Sequence, residues 1–162
     1  NACLAQAGGP VCAGSFSMTA MRIHCSVRIK DDLEEGLSYF YAEVKRLKRI
    51  LDAALDRSMP PAFFLIDEIF KGTNNRERLL GSRAYIKKLL ESQGLGLVTT
   101  HDLELTPLEK EVKGVKNFHF QEKVAGGKLV FDYRLLPGPC PTTNALRIMA
   151  QEGLPVPPGS FQ

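Results

Sequence analysis

Asp67 and Glu68 stand side by side at the end of the apolar run Ala62-Phe63-Phe64-Leu65-Ile66, and a lone imidazole, His101, closes a second such run, Leu95-Gly96-Leu97-Val98-Thr99-Thr100. Adjacent acids ending a buried strand suit nucleotide chemistry, where one carboxylate supports a Mg2+ through its water shell and the next orients an attacking water. An imidazole beside them can donate a hydrogen bond to a phosphate oxygen. Taken alone, the doublet reads equally as a solvated acidic turn, and His101 as a satisfied histidine at a strand end. Only convergence on one edge makes the three a site.

That convergence depends on the intervening elements. Residues 62–69 are short and apolar enough for a strand buried on both faces of a helix-covered sheet. Lys71-Gly72-Thr73-Asn74-Asn75 is turn chemistry, and the spacing predicts a helix over 76–92 with Leu79, Ile86, Leu89 and Leu90 as its core face and Gly94 as its stop. Residues 95–100 form a second buried strand. Strand, helix, strand predicts a parallel pair whose carboxyl ends share one side, the edge where open α/β sheets bind ligands.

Upstream, residues 16–29 nearly alternate, with Met21, Ile23, Cys25, Val27 and Ile29 on one side, as in a strand with one face covered. A helix over 38–57 follows. Its stripe is Phe40, Val44, Leu47, Leu51, Ala54 and Leu55, with Glu43, Lys45, Arg46, Lys48, Arg49 and Asp52 on the other faces. Met59-Pro60-Pro61 ends it. Downstream, the runs 116–124 and 128–136 flank Ala125-Gly126-Gly127 and predict a hairpin that extends the sheet with antiparallel strands. A short helix over 145–152, capped by Thr142 or Thr143 and stopped by Gly153 and Pro155, precedes a frayed tail or linker at 156–162.

With 162 residues, 44% hydrophobic and 24% charged, the chain has the makings of one globular domain. Its 21 basic and 18 acidic residues leave a net charge of +3, which says nothing of a nucleic-acid partner. The run Lys45, Arg46, Lys48, Arg49 fits a solvated helix face better than a nucleic-acid contact, because no aromatic residues interleave with it. Cys3, Cys12, Cys25 and Cys140 form no CxxC pair and have no histidine at ligand spacing, which argues against a zinc site or a disulfide framework. No stretch reaches the roughly 20 apolar residues of a membrane span and no signal peptide opens the chain, so a cytoplasmic protein without a membrane partner is expected.

Three segments carry a resemblance. In order and spacing, Asp31-Asp32-Leu33-Glu34-Glu35-Gly36-Leu37-Ser38-Tyr39-Phe40, Leu65-Ile66-Asp67-Glu68 with Gly72-Thr73, and Thr99-Thr100-His101-Asp102-Leu103-Glu104-Leu105 resemble the C-terminal ATPase domain of the MutS family of DNA mismatch-repair proteins. Val115-Lys116-Asn117-Phe118-His119 is similar to a strand of that family. The resemblance spans most of residues 1–162 and implies an α/β fold of the P-loop NTPase, ABC-type class: a mixed sheet flanked by helices, with a C-terminal antiparallel hairpin and short helix. Its parts are a signature segment at 31–40, a Walker B strand at 62–69 and a histidine loop at 99–105.

The resemblance also implies roles. Asp67 would support Mg2+ through water, Glu68 polarise the hydrolytic water, and His101 sense the γ-phosphate of ATP. Gly36 and Ser38 would reach, across a homodimer, the nucleotide held by the partner; Ser38 as the cap of its own helix is the plainer alternative. Gly72, Thr73, Asn74 and Asn75 would touch the opposing subunit near the nucleotide, with a simple turn and helix cap as the alternative. DNA would be contacted through the parent protein.

Two departures qualify the match. Phe70 replaces the family's usual glycine, which predicts a differently routed loop and a divergent branch. No G-x-x-x-x-G-K-[ST] is present: Gly127-Lys128 lacks a glycine at 122 and is followed by Leu129 rather than a hydroxyl. The expectation is therefore an N-terminally truncated fragment that starts after the phosphate loop and is inactive in isolation. Another ABC-type DNA-repair ATPase, or a nonenzymatic dimerisation module derived from one, are the rival readings.

Overall fold

The computed structural model describes residues 1–27, 39–125, 128–141, 145–151 and 153–157, which fall into two compact units, Asn1–Gly114 and Val115–Gln162. The first opens with a short helix, α1 (Ala2–Gln6), and then alternates strand and helix: β1 (Arg22–Ser26), α2 (Tyr39–Leu55), β2 (Ala62–Asp67), α3 (Asn75–Leu89) and β3 (Leu95–Thr99). The three strands pair in the order β1-β2-β3, all parallel. Joining parallel neighbours requires crossovers, and α2 and α3 supply them.

Both crossover helices pack on the same side of β2. Leu47, Ile50 and Ala54 of α2 and Tyr85 and Leu89 of α3 close over Ala62, Phe64 and Ile66, with Ile69 beyond the strand end. The Tyr85 hydroxyl donates to the Leu47 carbonyl at 2.7 Å, stitching the helices together, and burial pushes the phenol's pKa up. At Gly96 of β3 any side chain would collide with the Phe64 ring and carbonyl, so glycine there permits close strand packing.

Several expectations need correction. The strands are not buried on both faces: β2 alternates between buried and half-buried positions, and in β3 Leu95 and Leu97 are 50% and 60% exposed. The reason is that both helices lie on one side. In β1 the register aligns Ile23 and Cys25 with Phe63 and Leu65 on the face away from the helices, so the apolar alternation points outward. The inward positions are polar: Ser26 is buried, and the Arg22 guanidinium donates to the carbonyls of Ala53 (2.6 Å) and Pro60 (2.9 Å) around the C-terminus of α2. Ile29, Gly36 and Ser38 lie outside the described residues. In α2, Glu43 is buried and Phe40 exposed, the reverse of the expected assignment.

After β3 a 3-10 turn at Leu103–Leu105 and a short helix, α4 (Leu108–Glu111), complete the unit, anchored by buried Leu105 and Leu108. No helix among the described residues is long and apolar enough to cross a membrane.

The second unit pairs β4 (Phe118–His119) with β7 (Leu136–Pro137), and β5 (Glu122–Ala125) with β6 (Lys128–Phe131), both antiparallel. The hairpin is where it was expected, but among the described residues it forms its own ladder instead of extending the parallel sheet. The second run is interrupted by a turn in which Asp132 Oδ1 accepts from the Arg134 amide at 3.0 Å and Tyr133 takes φ 54°. The last helix, α5 (Ala145–Gln151), stops at Gly153, whose φ of 79° suits glycine. Its expected caps, Thr142 and Thr143, are outside the described residues.

Candidate functional site

The carboxyl ends of β2 and β3 lie side by side, Asp67 in register with Thr99. Thr99 Oγ1 donates to Asp67 Oδ1 at 2.8 Å and accepts the Glu68 amide at 3.0 Å, so one hydroxyl fixes both acids. Glu68 then turns sharply, at φ 53°, which swings its side chain off the strand axis. Its Oε1 lies 3.1 Å from His101 Nε2 and 3.1 Å from Lys71 Nζ. The lysine's pKa is raised, first by the hydrogen bond to Glu68. Asp67, Glu68 and His101 thus share one edge of one sheet. The imidazole is largely open to solvent, its side chain 86% exposed against 32% for Glu68.

The backbone around His101 is held from below. Asp102 is buried, and Arg78 of α3 grips it with a two-pronged fork, Nε to Oδ2 and Nη2 to Oδ1, each 2.8 Å. This guanidinium keeps the Asp102 carboxyl below its usual range. Arg78 escaped the sequence reading, although a cation in the first turn of a helix opposes the dipole and therefore signals a partner elsewhere. Thr99 gave no such signal, because its role depends on strand register.

The loop between β2 and α3 brings the remaining candidates together. Asn74 caps α3 by accepting the Glu77 amide at 3.0 Å, and Glu77 reaches back to the Thr73 hydroxyl at 2.8 Å. Asn75 Oδ1 accepts from Arg78 Nη2 at 2.5 Å. Gly72 presses on Phe40, where a Cβ would lie 2.8 Å from the Phe40 Cβ. Gly72, Thr73, Asn74 and Asn75 therefore build the turn and helix cap.

Phe70 stands where the resemblance expects a glycine. It sits at φ 58°, the left-handed conformation that glycine takes without penalty, and its ring meets Tyr85 edge-on at 6.0 Å. Ring burial offsets backbone strain of about 1–2 kcal/mol. Phe70→Ala keeps the strain and loses the ring, whereas Phe70→Gly loses both. Chemical denaturation should find both variants less stable than the wild type and the glycine variant the better of the two by about 1 kcal/mol; the opposite order would contradict the strain.

An apolar parallel strand ending in an Asp-Glu pair, with a histidine on the next strand end, joins two of the three segments that carry the resemblance to MutS proteins, and residues 1–157 match the family described as MutS domain V. The chain belongs to the MutS domain V family. It is 32% identical over 154 residues to the DNA mismatch repair protein MutS 2 of Haloarcula marismortui, covering 94% of this chain and 16% of that protein. It is 35% identical over 137 residues to the DNA mismatch repair protein MutS of Oleidesulfovibrio alaskensis, covering 83% of this chain and 15% of the relative. With the MutS protein of Lactobacillus johnsonii it shares 33% over 156 residues, 95% of this chain and 18% of the other. This MutS domain therefore spans less than a fifth of the length of these relatives.

Proposed function

We propose that this MutS domain is part of a longer ATPase of DNA mismatch repair, in which ATP is hydrolysed with Mg2+ at a homodimer interface and coupled to DNA bound elsewhere in the parent protein. What carries the reading is the meeting of Glu68 and His101 at 3.1 Å beside Asp67, at the carboxyl edge of a parallel sheet.

The chemistry follows from the donors and acceptors present. Glu68 orients a water and draws its proton as the water attacks the γ-phosphate. His101, exposed and tethered among the described residues only to Glu68 through its Nε2, swings to donate to a γ-phosphate oxygen as negative charge builds there. Asp67 has its Oδ1 anchored by Thr99, and its Oδ2 has no hydrogen-bond donor among the described residues, which fits a carboxylate holding a metal-bound water. When bound, Mg2+ would supply charge neutralisation for the developing negative charge, with Asp67 holding it through water. Gly36 and Ser38 complete the partner's nucleotide site in this reading, and Gly72, Thr73, Asn74 and Asn75 meet the partner nearby. With Phe70 in place of glycine, the domain stands on a divergent branch, and its workplace is the cytoplasm.

The isolated chain holds no G-x-x-x-x-G-K-[ST], so it lacks the amides and lysine that cradle the β- and γ-phosphates. Titration with Mg-ATP should find millimolar affinity or none in the 162-residue chain and micromolar affinity in the full-length parent, a difference of about 4 kcal/mol or more. Micromolar binding by the isolated chain would contradict this assignment, and a full-length parent without Mg-dependent hydrolysis would end the ATPase reading.

A further inference from the structure

Glu43 is 3% exposed and lies on the core face of α2, in line with Leu47, Ile50 and Ala54. A buried carboxylate without partners is strongly unfavourable, and among the described residues no cationic side chain reaches this one. Backbone amides do. The Lys71 amide donates to Oε1 at 3.1 Å and the Gly72 amide to Oε2 at 3.3 Å. Successive amides beside a residue in the left-handed region form a concavity that accepts an anion; Phe70 at φ 58° provides the bend, and Glu43 serves as the anion.

This loop is the one that carries Glu68. Its first amide is tied to Thr99, its far end to Glu43, and between them Glu68 and Phe70 both hold positive φ angles. Such angles persist in non-glycine residues only when the surroundings over-determine them. The Glu43 contact also fixes the backbone of Lys71, whose ammonium reaches Glu68 Oε1. Close packing of Gly72 on Phe40 presses the loop onto the same turn of α2 from which Glu43 reaches out.

We propose that Glu43 is a positioning residue for ATP hydrolysis, its carboxylate clamping the loop at Lys71 and Gly72 into the shape that presents Glu68 to the attacking water. It touches neither nucleotide nor water and acts through Glu68, so the assignment rests on the ATPase reading above.

In the full-length parent with Mg-ATP, Glu43→Gln keeps one acceptor and turns an N–H2 toward the second amide. kcat should fall about 10-fold to 100-fold, as expected for a small displacement of a reacting group, while KM for ATP stays within about twofold. Amide hydrogen exchange at Lys71 and Gly72 should accelerate in the same variant. In a Glu68→Gln background, Glu43→Gln should change the residual rate little, because the residue through which it acts is already disabled; a merely structural role would lower both backgrounds alike. Glu43→Ala should deepen each effect, and if it fails to fold, Glu43→Gln decides. Unchanged kcat, a change in KM alone, unaltered exchange at both amides, or full additivity with Glu68→Gln would each overturn the clamp. Those outcomes require a wild type that hydrolyses ATP; a wild type that does not would remove the ATPase reading first, and the clamp with it.

Discussion

Glu68→Gln in the full-length parent should lower kcat by roughly 100-fold to 10,000-fold, the range general-base catalysis supplies, while nucleotide binding is retained. The amide preserves size and one oxygen, so the His101 Nε2 contact at 3.1 Å can persist and the loop should keep its shape. What it loses is the capacity to take a proton and the charge that Lys71 neutralises at 3.1 Å. A loss confined to the transition state appears in kcat and not in affinity. Steady-state hydrolysis paired with a nucleotide titration separates the two, and turnover near the wild-type rate would remove Glu68 from its role.

Arg78→Met should be the most damaging single change to the frame around the site. It leaves Asp102, 8% exposed, as an uncompensated buried acid. Breaking a fully buried pair typically costs about 3–5 kcal/mol. With the Arg78 side chain 29% exposed, solvent screening makes the expected loss smaller than that, but it should still appear as a lowered unfolding midpoint. His101 precedes Asp102 directly, so its placement should loosen as well.

The pH dependence of this pair has a definite sign. Arg78 lowers the folded-state pKa of Asp102 below its ordinary 3.8. Its contribution is therefore complete above that value and is withdrawn as the pH falls through the lower folded-state pKa. In Arg78→Met the buried carboxyl prefers its proton, so the gap between variant and wild type should be widest near neutrality and narrow in acid. Thermal unfolding measured at neutral pH and near pH 3 tests both statements. An equal midpoint for the two proteins at neutral pH would show that the fork adds nothing.

Much of the first unit was legible because it depends on local pattern. Apolar runs of strand length, a helical stripe between them and Asn74 before α3 are one-dimensional signals, and strand-helix-strand connectivity alone brings Asp67, Glu68 and His101 to one edge. Leu95 and Leu97 look like core residues in sequence, yet they are exposed because both crossover helices lie on the opposite face. The runs after residue 115 read as one long hairpin, and a turn at Asp132 and Tyr133 divides them into separate short ladders.

What the sequence by itself determined is the identity and order of the candidate groups: two acids ending one strand, an imidazole after the next, and the parallel connection that sets them on a common edge. The tertiary structure alone decided how they are held. Thr99 between the acids, Arg78 beneath Asp102 and Glu43 behind the loop come from 24 to 32 residues away in the chain. The physical reason is that a buried charge or hydroxyl must find a complementary partner wherever packing places one. Helical and strand periodicity reports which face a residue occupies, but not what stands opposite it.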